Sequence, residues 1–129
     1  VEAARVLKPG GVLLVQDHLV PEAPLIARYT EAFEKLRDPS HNRAFTESEW
    51  RTMFAAAGIT VTHTELFVKT LNYDDWADRQ GVTPNTKACT SALVELAPPA
   101  ARAWMMPQAW RTPEATYACH HVILRGEKG

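Results

Sequence analysis

The segment Arg5-Val-Leu-Lys-Pro-Gly-Gly-Val-Leu-Leu-Val-Gln-Asp17 leaves this chain few choices of fold. Lys8 precedes a proline, and a residue in that position is pushed out of the helical region, so a helix ends at Leu7–Lys8. A lysine also suits the negative end of a helix dipole. Gly10 and Gly11 reach backbone conformations that a Cβ forbids, so the chain reverses sharply there. Val12 to Val15 is then an unbroken apolar run, the pattern of a strand covered on both faces, as in a parallel sheet flanked by helices. The chain turns polar at Gln16-Asp17-His18, where that strand should end. In doubly wound sheets, ligands gather at the carboxyl ends of the strands. The segment therefore predicts an α/β fold and singles out Asp17 and His18.

With 129 residues the chain is one domain or part of one. Its 46% hydrophobic and 22% charged residues are ordinary for a globular protein. A net charge of −1 gives no reason to expect nucleic acid or a membrane surface as partner. No apolar run approaches a membrane span, and no signal peptide is visible. Cys89 and Cys119 form no motif, so a reducing, cytoplasmic setting is expected. The opening Val1-Glu-Ala-Ala-Arg-Val reads as the inside of a helix, as in a piece of a longer protein.

Further along, Leu25, Ile26, Tyr29, Ala32, Phe33 and Leu36 share one helical face, and the helix should stop before Pro39. Asp38-Pro-Ser-His-Asn is a turn-rich loop. Thr46 and Glu49 form a capping box for a helix running to Gly58, with Phe45 and Trp50 as a hydrophobic staple. Its predicted buried face is Trp50, Met53, Phe54 and Ala57. Ile59 to Val68 reads as a strand. A short helix follows around 74–79. A second, started by Thr83-Pro84, carries Ala88, Leu93 and Leu96. Pro98-Pro99 breaks it. Ala115 to Leu124 is the last predicted strand, ended by Arg125-Gly126.

Together these features resemble the class I S-adenosylmethionine-dependent methyltransferases, in particular the ubiquinone/menaquinone-biosynthesis-like group. The resemblance rests on Arg5-Val-Leu-Lys-Pro-Gly-Gly with its following strand, on Arg37-Asp-Pro-Ser-His-Asn-Arg43, on Phe45-Thr-x-x-Glu-Trp50 and on Phe54-x-x-Ala-Gly58, in that order. It spans the chain but only the C-terminal half of such a protein. It implies the C-terminal part of a Rossmann-like fold: a mixed sheet fragment ordered fifth, seventh, sixth strand, with flanking helices. Residues 72–113 would be a helical insertion that helps cover the active site. Family members hold S-adenosylmethionine on a glycine-rich turn after the first strand. No Gly-x-Gly occurs here, so the cofactor site is expected in the missing half.

On this reading Asp17 and His18 are the candidate catalytic residues, either of which could orient a nucleophile or accept its proton. Strand-end capping is the plainer role for Asp17. Arg37, His41 and Arg43, with Tyr29 and Phe33 of the preceding helix, are the candidate substrate-binding residues, since arginine offers a planar fork to a carboxylate or phenolate. A solvated loop with Arg43 paired to an acidic neighbour is the alternative. His120 and His121 are adjacent on a strand and face opposite sides, and no Cys or His spacing matches a zinc site, so no metal is expected. His63 should be partnered or exposed. Trp104, Met105, Met106 and Trp110 could line an apolar pocket, although packing is the plainer use.

The expected function is therefore the C-terminal fragment of a methyltransferase acting on a small molecule, inactive by itself. Its Val12–Val15 edge, left bare, should recruit a second copy to form a homodimer. The rival is a stand-alone α+β module that binds a small ligand or dimerises without catalysis.

Overall fold

The computed structural model describes residues 2–38 and 40–129, with the side chain of Arg37 outside that description. In chain order the elements are α1 (Glu2–Val6), β1 (Val12–His18), α2 (Pro24–Arg37), α3 (Glu47–Ala56), β2 (Ile59–Asn72), α4 (Tyr73–Arg79), α5 (Pro84–Glu95), α6 (Pro99–Met105) and β3 (Thr116–Lys128). The sheet order is β1-β3-β2, the arrangement expected for fifth, seventh and sixth strands. Both pairings are antiparallel, so β1 and β2 run the same way with β3 reversed between them.

The strand covered on both faces is β3, not β1. Tyr117 and Cys119 join one apolar cluster with Phe33, Tyr73, Ala77, Val94 and Met105. Val122 and Leu124 join a second with Ala4, Leu19, Phe54 and Ile59. Successive side chains of a strand alternate in direction, and β3 uses both directions for core. The expectation that Val12–Val15 is buried on both faces is therefore corrected: Val12 is 43% and Leu14 67% exposed. An unbroken apolar run marks a doubly covered strand only where both covering layers are present.

The turn before β1 forms as its glycines predict. Gly10 sits at φ +78°, and its N–H donates to the Lys128 carbonyl at 2.8 Å, tying the turn to the end of β3. Besides Arg5 in its last turn, the end of α1 meets Lys128, whose ammonium donates to the carbonyls of Ala4 and Leu7 at 2.7 Å each. Lys8 is exposed.

In α2 the buried stripe is offset from the predicted one. Phe33 is fully buried, and Thr30 and Glu34 are each 8% exposed, whereas Leu25 is 76% and Leu36 39% exposed. The helix meets the sheet and α5 along 26, 29, 30, 33 and 34, a spacing of three and four that admits two polar residues. The α3 capping box is present, with Glu49 N–H donating to Thr46 Oγ1 at 3.1 Å and Thr46 N–H to Glu49 Oε1 at 3.0 Å. The Phe45 and Trp50 rings meet edge-on at 5.6 Å. Phe54 is the buried residue of this helix, while Met53 is 39% exposed.

Between β2 and β3 lie three helices. Asn72 caps α4 and Thr83 caps α5 through their side-chain oxygens. The α5 core residues are Thr90 and Val94, while Leu96 is 81% exposed. Pro98-Pro99 breaks α5 but starts α6, because proline fits a first helical turn. The Tyr29 hydroxyl donates to the Leu93 carbonyl, joining α2 to α5. Finally, β3 does not end at Arg125-Gly126. A Cβ on Gly126 would lie 2.4 Å from Ile59 Cγ2 and 2.9 Å from the Phe54 ring, so this glycine admits close packing rather than a turn.

Candidate functional site

The sheet pairs His18, the last residue of β1, directly with His121 of β3. Their ring centroids are 4.7 Å apart, and His18 Nδ1 lies 3.1 Å from Cys119 Sγ. Asp17, one residue earlier, belongs to the opposite face of the strand. It is exposed, and its Oδ1 accepts from the His18 N–H at 2.7 Å. That is the strand-end capping role.

Beyond the strand end, His18 and Cys119 line a cavity of about 20 Å³ together with Thr30, Glu31, Glu34, His41 and His120. That is room for a single water-sized group. His41 reaches this cavity from the loop after α2, and its Nε2 lies 3.2 Å from each Glu31 carboxylate oxygen. Glu31 also accepts from the Ala44 N–H at 3.2 Å, so one carboxylate fixes both the imidazole and the loop that carries it. Glu31, Val20 and Ala44 also line a wider cleft of about 420 Å³, which adds Arg28, Arg43 and Glu49.

Arg43 stands at that cleft in an ion pair with Glu49, its guanidinium 4.7 Å above the Phe45 ring. The Glu49 carboxyl is held below its ordinary pKa, first by the Thr46 backbone N–H and, against the opposing effect of burial, also by Arg43. Tyr29 and Phe33 serve the packing of α2: burial pushes the Tyr29 phenol up, and Phe33 is fully enclosed in the core. The Arg37 side chain lies outside the described residues. The structure thus brings His18 and His41 together, leaves Arg43 at the adjoining cleft, and turns Asp17 away.

Four residues of this region are not among the candidates read from sequence: Glu31 and Glu34, and also Cys119 and His121, for which the spacing gives no motif and no metal site. Cys119 and His121 stand two apart on a strand and so share a face, a signal that becomes useful once β1 is known to be the neighbour. His120, on the other face, stacks on Trp104 with ring centroids 3.6 Å apart. Burial lowers its pKa, although its hydrogen bond to the Trp104 carbonyl acts the other way. Burial likewise lowers His121, with His18 and Lys69 adding to the effect. His63 pairs with Glu65 at 2.9 Å on the surface. Met105 is buried, and Trp110 leans on Tyr73 with centroids 4.9 Å apart, so both serve packing.

The glycines do not provide a cradle for S-adenosylmethionine among the described residues. Gly10 and Gly11 lead into a strand, Gly58 joins α3 to β2, Gly81 joins α4 to α5, and Gly126 and Gly129 belong to β3 and its end. None opens a helix after a strand, the geometry that a dinucleotide-type cofactor uses.

No family model matches the chain. Over 80 residues it is 39% identical to the uncharacterized methyltransferase YcgJ of Bacillus subtilis (strain 168), covering 62% of this chain and 32% of that protein. Over 78 residues it is 35% identical to the uncharacterized protein YafE of Escherichia coli (strain K12), covering 60% and 38%. Among solved structures, BH2331 of Bacillus halodurans C-125, described as a candidate methyltransferase, matches with a TM-score of 0.91 at 30% identity, over 98% of this chain and 55% of that one. The YcgJ crystal structure matches with a TM-score of 0.91 at 28% identity and the same coverage, 98% and 55%. The match takes in about a third of the curated relatives and about half of the solved chains. By its sheet order and by these matches, the chain resembles the C-terminal part of these methyltransferase structures and shares that part of their Rossmann-like fold.

Proposed function

We propose that the whole protein transfers a methyl group from S-adenosylmethionine to a small molecule, and that this chain supplies the substrate side of the site and its helical cover. The observation that carries this reading is the match along 98% of the chain to a candidate methyltransferase of nearly twice its extent. The convergence of His18 and His41 on one cavity at the end of β1 supports it further. Bound S-adenosylmethionine supplies an electrophilic methyl group, and the residues that hold it lie in other segments of the protein. In this proposal His18 accepts a proton from a substrate atom, and Glu31 holds His41 in orientation. Arg28 and Arg43 in the wider cleft suit an anionic substrate group, with Arg43 exchanging Glu49 for it. Trp104 of α6 lines the small cavity, so positioning and desolvation are the contribution expected of these residues.

The isolated chain should neither bind S-adenosylmethionine nor turn over. Calorimetric titration of S-adenosylmethionine into this chain and into the whole gene product tests that: binding by the whole protein alone is expected, and binding by the chain alone overturns the assignment. A homodimer of the isolated chain along β1 belongs to the same proposal. It is supported by the position of β1 at the sheet edge and by the exposure of Val6, Val12 and Leu14. A monomeric mass in light scattering would argue against it. No described helix is long and apolar enough to cross a membrane, and Cys89 and Cys119 form no disulfide, which fits a reducing cytoplasm.

A further inference from the structure

His18, Cys119 and His121 form a donor cluster whose members come from two strands. Cys119 and His121 share one face of β3, and His18 faces His121 across the pairing with β1. One donor atom of each lies within 4.8 Å of the other two. His121 lies flat against Phe67, with centroids 5.1 Å apart and planes 10° from parallel, so the neighbouring strand holds its ring plane. It is 8% exposed, and its Nδ1 is buried with no hydrogen-bond partner among the described residues. Leaving such a nitrogen unpaired forfeits its hydration without replacement, so its position calls for an occupant. Two imidazoles and a thiol make a borderline-soft donor set, suited to zinc-like ions rather than to calcium or magnesium.

We infer that His18, Cys119 and His121 bind one divalent cation of the zinc class, with a fourth position turned toward the small cavity beside them. On binding, the Cys119 thiol loses its proton to solvent and Sγ ligates as thiolate, while both imidazoles ligate as neutral rings. His18 and Cys119 both line the cavity, which has space for one water or one oxygen or sulfur atom of a substrate. His120 and His121 cannot chelate together, as their adjacency on the strand implies. The missing ligand is supplied by β1 through sheet register, which sequence spacing does not display. With the cation bound, His18 is a ligand rather than a proton acceptor. Cation binding and the proposed proton acceptance are thus alternative uses of His18, and cation binding is read without any methyl-transfer assay.

Co²⁺ serves as the probe, added to the metal-free 129-residue chain. The expected result is one Co²⁺ per chain, with a sulfur-to-cobalt charge-transfer band, the visible bands of a four-coordinate ion, and displacement by Zn²⁺. Cys119→Ser should abolish the charge-transfer band. His121→Ala should weaken binding roughly ten-fold or more. His18→Gln, at a half-buried strand end, should do the same with less disturbance of the core, and circular dichroism checks that each variant is folded. Cys89→Ser, at an exposed cysteine outside the cluster, should leave the spectrum unchanged. A folded chain that gives no charge-transfer band at stoichiometric Co²⁺, or a band that persists in Cys119→Ser or disappears in Cys89→Ser, overturns the assignment.

Discussion

Replacing Phe33 by alanine separates a packing role from substrate contact. Phe33 is fully buried, with the Tyr117 ring edge-on at 5.4 Å and the Tyr73 ring tilted at 6.2 Å. Truncating a buried phenylalanine costs about 3–5 kcal/mol, of which an aromatic pair accounts for about 0.5–1.5 kcal/mol. Collapse around the resulting void is opposed by the neighbours. Tyr73 is held to Thr90 and leans on Trp110, and Trp110 Nε1 donates to the Ser91 carbonyl at 3.1 Å. The loss should therefore fall in the upper half of that range, a large share of the roughly 5–15 kcal/mol typical of a whole domain. Urea denaturation followed by near-ultraviolet circular dichroism measures it, with an unchanged slope confirming that the same surface unfolds. Phe33→Leu retains most of the volume and should lose less than about 1.5 kcal/mol. If Phe33→Ala stays within about 1 kcal/mol of the wild type, the ring is not a core support, and its assignment to substrate regains force.

Other outcomes follow from the same geometry. Thr46→Ala should cost about 1 kcal/mol through loss of the α3 cap, measured by thermal or urea melts. Because the folded Glu49 pKa is lowered, its contribution is complete above the ordinary glutamate pKa of about 4.3 and is lost as pH falls through the lower folded value. The stability gap between wild type and Glu49→Gln should therefore shrink on acidification, and a gap that widens contradicts the capping account. Gly126→Ala forces a methyl group against Ile59 and Phe54 and should cost about 1–3 kcal/mol. Its effect should be smaller when measured in an Ile59→Ala background, and strict additivity of the two changes would contradict the contact. In the whole protein, His18→Ala should lower kcat by about 10²–10⁴-fold, and an unchanged kcat would remove His18 from the chemistry.

Local chemistry was legible wherever a short segment decides its own structure. Thr46 and Glu49 satisfy each other's backbone within four residues, and Gly10 permits a turn that no tertiary contact has to impose. Sheet order came from family resemblance rather than from periodicity. Helix faces were less legible: Leu25 and Leu36 are as apolar as Phe33, and only the position of α5 and the sheet decides which of them is covered. Gly126 looked like a strand end because glycine serves equally for turns and for close approaches. The site itself depends on long-range pairing. Glu31 finds His41 through a loop, and His18 finds Cys119 and His121 only because β3 lies between β1 and β2.

That central placement of β3 also governs how the chain can come to its structure. Val12 pairs with Glu127, and Asn72 with Thr116, while β1 and β2 have no hydrogen bonds to each other. During synthesis β1 and β2 gain no partner from this chain until the 13-residue β3 emerges. Contacts so distant in sequence slow folding, and in that interval both strands have open edges that other chains can occupy. β3 therefore acts as a completion signal for this part of the sheet: a chain that stops short of it has neither the β1-β3-β2 arrangement nor the His18–His121 pairing.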